Sequence, residues 1–382
     1  MNDNGTFCVL AWDSIGMNPH GRVRACGKSI PNSANPTLRD LKLDQAWNSD
    51  YYKQLRLDML NGVRNSNCSK CYLQEDLNGT SSRQKYIKDL EIFNIDHYRS
   101  ITNSDGSLNI PPKKIDIRVG NICNLKCMHC WTGNSSKWFE DKLILDKYEN
   151  TEAYEFDNTW VNEIFEYVKK NAKQIEWLNL LGGEPFASKS HNQFIDWCIK
   201  TGNTHFNLTY VTNATLLSDK LINKLNKFRK VQIGISIDAI NEQAELLRFP
   251  SNWKNTHDKL LYINDNFSFA YFNWTCYNLN LNRLLETMEF CEKNYPNIPF
   301  KFGDYVINPT HMSVQNLPLD YKMKLLDKLK NIKGIDFYLN YMMENHTWDN
   351  SKQILLNYLE DLDKIRKTNW RLALPEIAKL YE

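Results

Sequence analysis

Cys123-Asn124-Leu125-Lys126-Cys127-Met128-His129-Cys130 places three cysteines in eight residues with the spacing C-x3-C-x2-C, shortly after an apolar run, Ile115 to Val119. A tight loop can turn all three thiolates toward one point. Tetrahedral zinc, or an iron–sulfur cube ligated at every iron, takes a fourth thiolate or imidazole. The next cysteine, Cys198, lies far along the chain in a helix-like stretch. The simplest inference is a 4Fe–4S cluster held by Cys123, Cys127 and Cys130, with one iron left open to bind a substrate or cofactor. The competing reading is zinc with His129 as fourth ligand. That histidine sits between two of the cysteines and would be forced into a strained chelate.

From Ile115 onward apolar runs alternate with helix-like stretches. Strands are expected at Ile115–Val119, Ile175–Leu181, Phe206–Val211, Val231–Ile237, Phe267–Thr275 and Phe300–Ile307, and helices near Asn158–Asn171, Gln193–Lys200, Ser218–Phe228, Trp253–Asn264 and Leu281–Asn294. Such alternation implies a parallel sheet with helices outside it. Six units give a partial (β/α) barrel, whose active-site residues belong at the C-terminal ends of strands. Polar motifs stand at those ends. Gly182-Gly183-Glu184-Pro185 follows the second strand; paired glycines let backbone approach a ligand closely, and the carboxylate can accept hydrogen bonds from an ammonium group. Asn213, in Thr212-Asn213-Ala214-Thr215, follows the third. Ser236 and Asp238 close the fourth, with side chains suited to ribose hydroxyls. Arg248 lies just beyond.

The three-cysteine loop together with Gly182–Pro185 resembles the signature of the radical S-adenosylmethionine (radical SAM) superfamily. The resemblance implies that the open iron chelates the amino and carboxylate groups of SAM. One electron then cleaves SAM, and the 5′-deoxyadenosyl radical takes hydrogen from a substrate. It also implies that Glu184 and its glycines grip the amino group, that Thr212–Thr215 matches the family's TNG turn, and that Arg248 faces the carboxylate. His129 stands where the family usually has an aromatic residue, and an imidazole can stack on or hydrogen-bond to adenine. Trp131, Ser135-Ser136-Lys137-Trp138 and the loop from Pro309 to Pro318 are open between two readings: substrate-pocket lining, or a capped helix start and a surface loop.

Residues 1–87 read as a separate cysteine-rich unit. Phe7–Trp12 reads as a strand and Gly21–Cys26 as its hairpin partner, after a turn at Asn18-Pro19-His20-Gly21. A polar connection with Pro31 and Pro36 precedes one helix from Leu43 to Asn61, stopped by Gly62. Cys8, Cys26, Cys68 and Cys71 supply four thiolates, a count that fits zinc and 4Fe–4S equally. The pattern Cys8-x12-Gly21-x4-Cys26, Leu43–Asn48, Leu55-Arg56 and Cys68-x2-Cys71 resembles the SPASM module in its shorter, twitch form. That resemblance implies one auxiliary 4Fe–4S cluster, here placed before the barrel. Residues 88–114 read as a linker with some helix, 115–308 as the partial barrel, and 309–382 as a helical extension in which Ile354, Leu355, Tyr358, Leu359, Leu362 and Ile365 have the spacing of a packing helix.

Net charge is +2 and no run of five like charges occurs, so a strongly basic nucleic-acid surface is not indicated. No stretch reaches the eighteen apolar residues of a membrane span, the N-terminus lacks a signal-peptide pattern, and the expected location is the cytoplasm. Disulfides are not expected there, and Cys198, Cys276 and Cys291 sit among apolar neighbours as packing residues. The expected function is oxidative modification of a peptide or protein, with an electron donor such as flavodoxin or ferredoxin. Dehydrogenation of a small alcohol such as an aminocyclitol is the alternative within the same chemistry, and a non-enzymatic metal-binding interaction protein the alternative outside it. No catalytic acid or base is identifiable.

Overall fold

The structure is a computed structural model that describes residues 4–18, 20–30, 32–90, 93–148, 159–267 and 269–382. Pro19, Pro31, Asn158 and Ser268, which fall within the expected turn, connection, helix and strand, lie outside the described residues. Two compact units are present. The first comprises Met1–Gly120, Phe156–Tyr210 and Asn223–Val231; the second comprises Asn121–Glu155, Val211–Ile222 and Gln232–Glu382.

In the first unit β1 (Ser14–Met17) pairs antiparallel with β2 (Val23–Arg24), Gly16 opposite Arg24. On its other edge β1 runs parallel to β3 (Lys114–Arg118), which pairs in turn with β4 (Trp177–Leu181), and β4 with β5 (Asn207–Thr212). The N-terminal hairpin therefore extends the parallel sheet. The expected strand Phe7–Trp12 is a correction: helix begins at Leu10, and the hairpin strand starts at Ser14. Phe7 to Ala11 are all buried. A continuous apolar run has no period, so packing decides its conformation. Likewise one helix over Leu43–Asn61 is two, Leu43–Trp47 and Asp50–Leu60. Asn48 at the break uses its carboxamide on both backbone groups of Leu108, sixty residues away in sequence. Gly62 does end the helix, at φ +74°, a conformation that suits glycine.

The alternation within these strands is sharp. Ile115 and Ile117 of β3, Leu178 and Leu180 of β4, and Leu208 and Tyr210 of β5 are fully buried on one face. The other face is polar: Asp116 accepts a hydrogen bond from Asn179, and Trp177 Nε1 donates to Thr209 Oγ1 at 2.8 Å. Helices Thr159–Lys170 and Lys189–Thr201 bury Phe165 and Phe194, stacked at 4.7 Å between centroids.

In the second unit β6 (Lys230–Ile237, counted here from Gln232) pairs parallel with β7 (Ala270–Cys276), and β7 with β8 (Phe300–Tyr305). Phe272 and Trp274 are buried while Tyr271, Asn273 and Thr275 are half-buried, the same two-faced pattern. The C-terminal extension is helical: Leu319–Leu329, Asp336–Glu344 and Trp348–Arg366. The last of these buries Leu355, Tyr358, Leu359 and Leu362 as its spacing requires, although Ile354 points outward. Cys198, Cys276 and Cys291 are buried packing residues. No helix among the described residues is long and apolar enough to cross a membrane.

One buried charge ties the first unit together. Arg56 is wholly buried. Its guanidinium donates to the carbonyls of Ala11 (2.9 Å), Trp47 (3.0 Å) and Gly106 (3.1 Å), and lies over the rings of Trp47 and Tyr52. Burial pushes its pKa down to about 10. Arg56→Ala should lower the unfolding free energy by about 3 kcal/mol or more, because three buried carbonyls lose a charged donor. Urea denaturation measures it; a loss below about 1 kcal/mol would mean that water replaces the guanidinium.

Candidate active site

The three-cysteine loop lies in the second unit and has little regular structure of its own. It is held from outside. Lys126 N donates to Phe249 O at 2.6 Å and Met128 N to Leu247 O at 2.9 Å. Ser135 Oγ donates to Leu125 O, Trp138 Nε1 to Cys127 O at 3.2 Å, and Tyr358 OH to Met128 O at 2.8 Å. These bonds satisfy buried backbone groups that a loop cannot satisfy internally. The thiols are near enough to act on one another's ionisation. Burial raises the pKa of Cys127 to about 12; burial, then Cys127 and Cys123, raise that of Cys130 further. Thiols placed this way resist ionisation until a cation or cluster replaces their protons.

Around the loop stand the strand-end residues of the same unit. Arg248 Nη1 binds Asp238 Oδ2 at 3.0 Å, both nearly dry. Burial opposes the charge on Arg248, but Cys127 and Asp238 outweigh it and raise its pKa. His129 is pushed below the usual imidazole range by burial, with Arg248 adding to the shift and Asp238 opposing it. The ring is thus neutral near pH 7. Its Nδ1 is 3.7 Å from Asp238 Oδ2, buried and without a hydrogen-bond partner, and the ring packs on Tyr277 at 4.9 Å. Asn213 Nδ2 donates to Asn124 Oδ1 at 2.9 Å and lies 4.0 Å from Cys123 Sγ, while Asn124 donates to Thr215 Oγ1. Ala214 takes φ +63°, a left-handed conformation that glycine adopts freely. Asn213, Ser236, Arg248 and Leu125 line a small cavity, and a cleft of about 600 Å³ adjoins Leu125 and Thr215.

Gly182–Pro185 lies in the first unit, directly after β4. Gly182 has φ +137°, and a Cβ there would sit 2.5 Å from Gly120 O. Gly183 N donates to that same carbonyl at 2.8 Å. The turn is thus closed against the residue that follows β3, and only glycine fits it. Glu184 is buried and accepts from Phe186 N at 3.3 Å, and Pro185 opens a short 3-10 turn.

Cys8, Cys26, Cys68 and Cys71 also lie in the first unit. Burial raises the pKa of Cys8, Cys26 and Cys68, and each is raised further by others of the four. Arg83 opposes the shift at Cys8 and Cys68 and is held by a bidentate ion pair with Glu75. Among the described residues, no three His, Cys, Asp or Glu side chains are drawn tightly enough to enclose a single metal ion. The thiols gather without forming a mononuclear cage.

Of the residues open between pocket lining and a cap, Ser135 makes no capping bond and instead supports the loop, as does the buried Trp138. The loop after β8 is not a surface loop: His311 to Leu317 are buried. Sequence reasoning misses Asn124, Tyr277, Asp141 and Arg366. Asn124 stands inside the motif itself; the others carry no local signal.

The radical SAM superfamily model matches residues 117–291. The chain is 25% identical over 166 residues to the radical SAM cyclopropyl synthase TigE of Paramaledivibacter caminithermalis, covering 42% of this chain and 34% of that protein. It is 24% identical over 148 residues to the antilisterial bacteriocin subtilosin biosynthesis protein AlbA of Bacillus subtilis, covering 38% and 29%. The chain thus spans about a third of the length of these relatives. The crystal structure of Streptococcus suis SuiB bound to S-adenosylmethionine superposes with a TM-score of 0.40 at 16% identity, over 74% of this chain and 64% of that one. Over residues 117–291, which contain the three-cysteine loop, the chain is similar to the radical SAM superfamily.

Proposed function

We propose that this radical SAM enzyme oxidatively modifies a peptide or protein. The observation that carries the reading is the placing of Cys123, Cys127 and Cys130 in one loop, near enough to act on one another, with the Asp238–Arg248 pair and Asn213 in the same unit. This donor set fits a cube with one open iron, and the buried, unpartnered Nδ1 of His129 fits a ligand atom placed against the ring. When bound, the cluster and SAM supply a 5′-deoxyadenosyl radical that abstracts hydrogen. The chain's own residues bind and orient: Glu184 and the Gly182–Pro185 backbone accept the ammonium of SAM, Arg248 faces its carboxylate, Ser236 and Asp238 its ribose, and His129 its adenine. A peptide substrate is supported by the relative named for biosynthesis of the bacteriocin subtilosin.

Cys8, Cys26, Cys68 and Cys71 would hold an auxiliary cluster in this reading, as in a twitch module, and such a cluster would supply an acceptor for the electron left on the substrate. Their mutual pKa shifts and the nearby Arg83 support it. Flavodoxin or ferredoxin donates the reducing electron. All ten cysteines are free, which suits a reducing cytoplasm.

Anaerobically isolated protein should hold about eight irons, and the triple Cys123/Cys127/Cys130→Ala variant about four. Stoichiometric zinc at the N-terminal cysteines would overturn the auxiliary-cluster claim. Glu184→Ala should weaken SAM binding by on the order of 1.5–3 kcal/mol with cluster absorbance intact; an unchanged affinity removes Glu184 from the site. Replacing Cys68 and Cys71 by Ala, in protein shown folded by circular dichroism, should leave release of 5′-deoxyadenosine running and abolish product. Normal product formation would make the N-terminal site structural only.

A further inference from the structure

Between Cys123 and Cys127 lies a buried charge that the family motif does not require. Lys126 Nζ binds Asp141 Oδ1 at 2.5 Å, and Asp141 Oδ2 accepts from Arg366 Nε at 2.8 Å. The Asp141 and Arg366 side chains are 1% exposed and that of Lys126 8%. Glu140 also reaches Lys126 at 3.4 Å, but its side chain is half in water and pairs with Lys137, so its field is screened. Two dry cations and one dry carboxylate leave a net charge of +1. The guanidinium of Arg366 lies over Trp138 at 4.6 Å and Phe249 at 5.1 Å. Both rings belong to residues that bond the cysteine loop, Trp138 at Cys127 O and Phe249 at Lys126 N. Arg366 Nη1 and Nη2 are buried without a hydrogen-bond partner, so this charge is not neutralised beyond Asp141. Arg248, by contrast, is countered directly by Asp238.

We propose that Arg366 and Asp141 are positioning residues that set the reduction potential of the cluster held by Cys123, Cys127 and Cys130. The proposal rests on the reading of these cysteines as cluster ligands. Reduction adds one negative charge at the loop. A buried cation packed on the rings that hold the loop favours that state, since charges in a dry interior interact far more strongly than in water. The Arg366 charge is already felt at the Cys127 thiol, whose ionisation it favours. Asp141 works in the opposite sense and also locks Lys126 and Arg366 in place. The tuning charge comes from a helix that lies outside the matched segment.

The test is an EPR-monitored redox titration of the reconstituted protein, with iron content measured first. The relevant signal is the one lost in the Cys123/Cys127/Cys130→Ala variant. Arg366→Met should move the midpoint to a more negative potential, Arg366→Lys should restore most of the original value, and Asp141→Asn should move it positive. A merely structural clamp would shift Arg366→Met and Asp141→Asn in the same direction, and that result, or unchanged potentials with full iron, overturns the proposal. If Arg366→Met fails to hold a cluster, the positive shift in Asp141→Asn decides alone. Unaltered protein without iron at this site would instead overturn the cluster reading, and this proposal with it.

Discussion

Three thiols stand in one short loop, where burial and the neighbouring thiols raise the pKa of Cys127 and Cys130, and they cannot ionise together without a compensating charge. The arrangement of the second unit follows from that constraint. A loop dense in ligands cannot also be a helix or strand, because its backbone must bend to aim the sulfurs inward. Its carbonyls and amides then need partners elsewhere. Leu247 and Phe249 supply backbone acceptors, Trp138 and Tyr358 supply donors, and Ser135 closes the chain on itself. The cation of Lys126 could be buried in this setting only with Asp141 beside it, and Asp141 only with Arg366.

The sheet was legible in the sequence because its strands alternate. Ile115 and Ile117 against Lys114 and Asp116, or Phe272 and Trp274 against Asn273 and Thr275, announce a strand with two different faces. The cysteine spacing was legible for a chemical reason: few arrangements aim three thiolates at one point. Phe7–Trp12 was misread because a wholly buried segment is apolar in any conformation. Asn48 broke a helix through bonds to Leu108, sixty residues on, which no local pattern encodes. The pairing of Asp141 with Arg366, 225 residues apart, was invisible for the same reason.

Within each unit the polar face of the strands carries a further meaning. Here Asp116 with Asn179, and Trp177 with Thr209, occupy alternate positions on β3, β4 and β5. Lys301 lies 4.0 Å over the ring of Tyr271 between β8 and β7. Asn179, Trp177, Thr209 and Tyr271 are half-buried, while Asp116 is buried and Lys301 exposed, and side chains that satisfy one another at a partly wet face can exchange those partners for a polar guest.

The helix that ends at Arg366 shows that a homologous segment and a functional object need not coincide. Residues 117–291 contain all three loop cysteines, Gly182–Pro185 and Arg248, yet two of the bonds that fix the loop and its charges come from Tyr358 and Arg366. A chimera that grafted this segment onto another relative's tail would inherit the ligands without their support. Drift in the tail would then be felt first as a change in how readily the centre accepts an electron, long before any ligand was lost. If the loop holds a cluster as proposed, the heritable unit of its redox behaviour is the loop together with its distant helix.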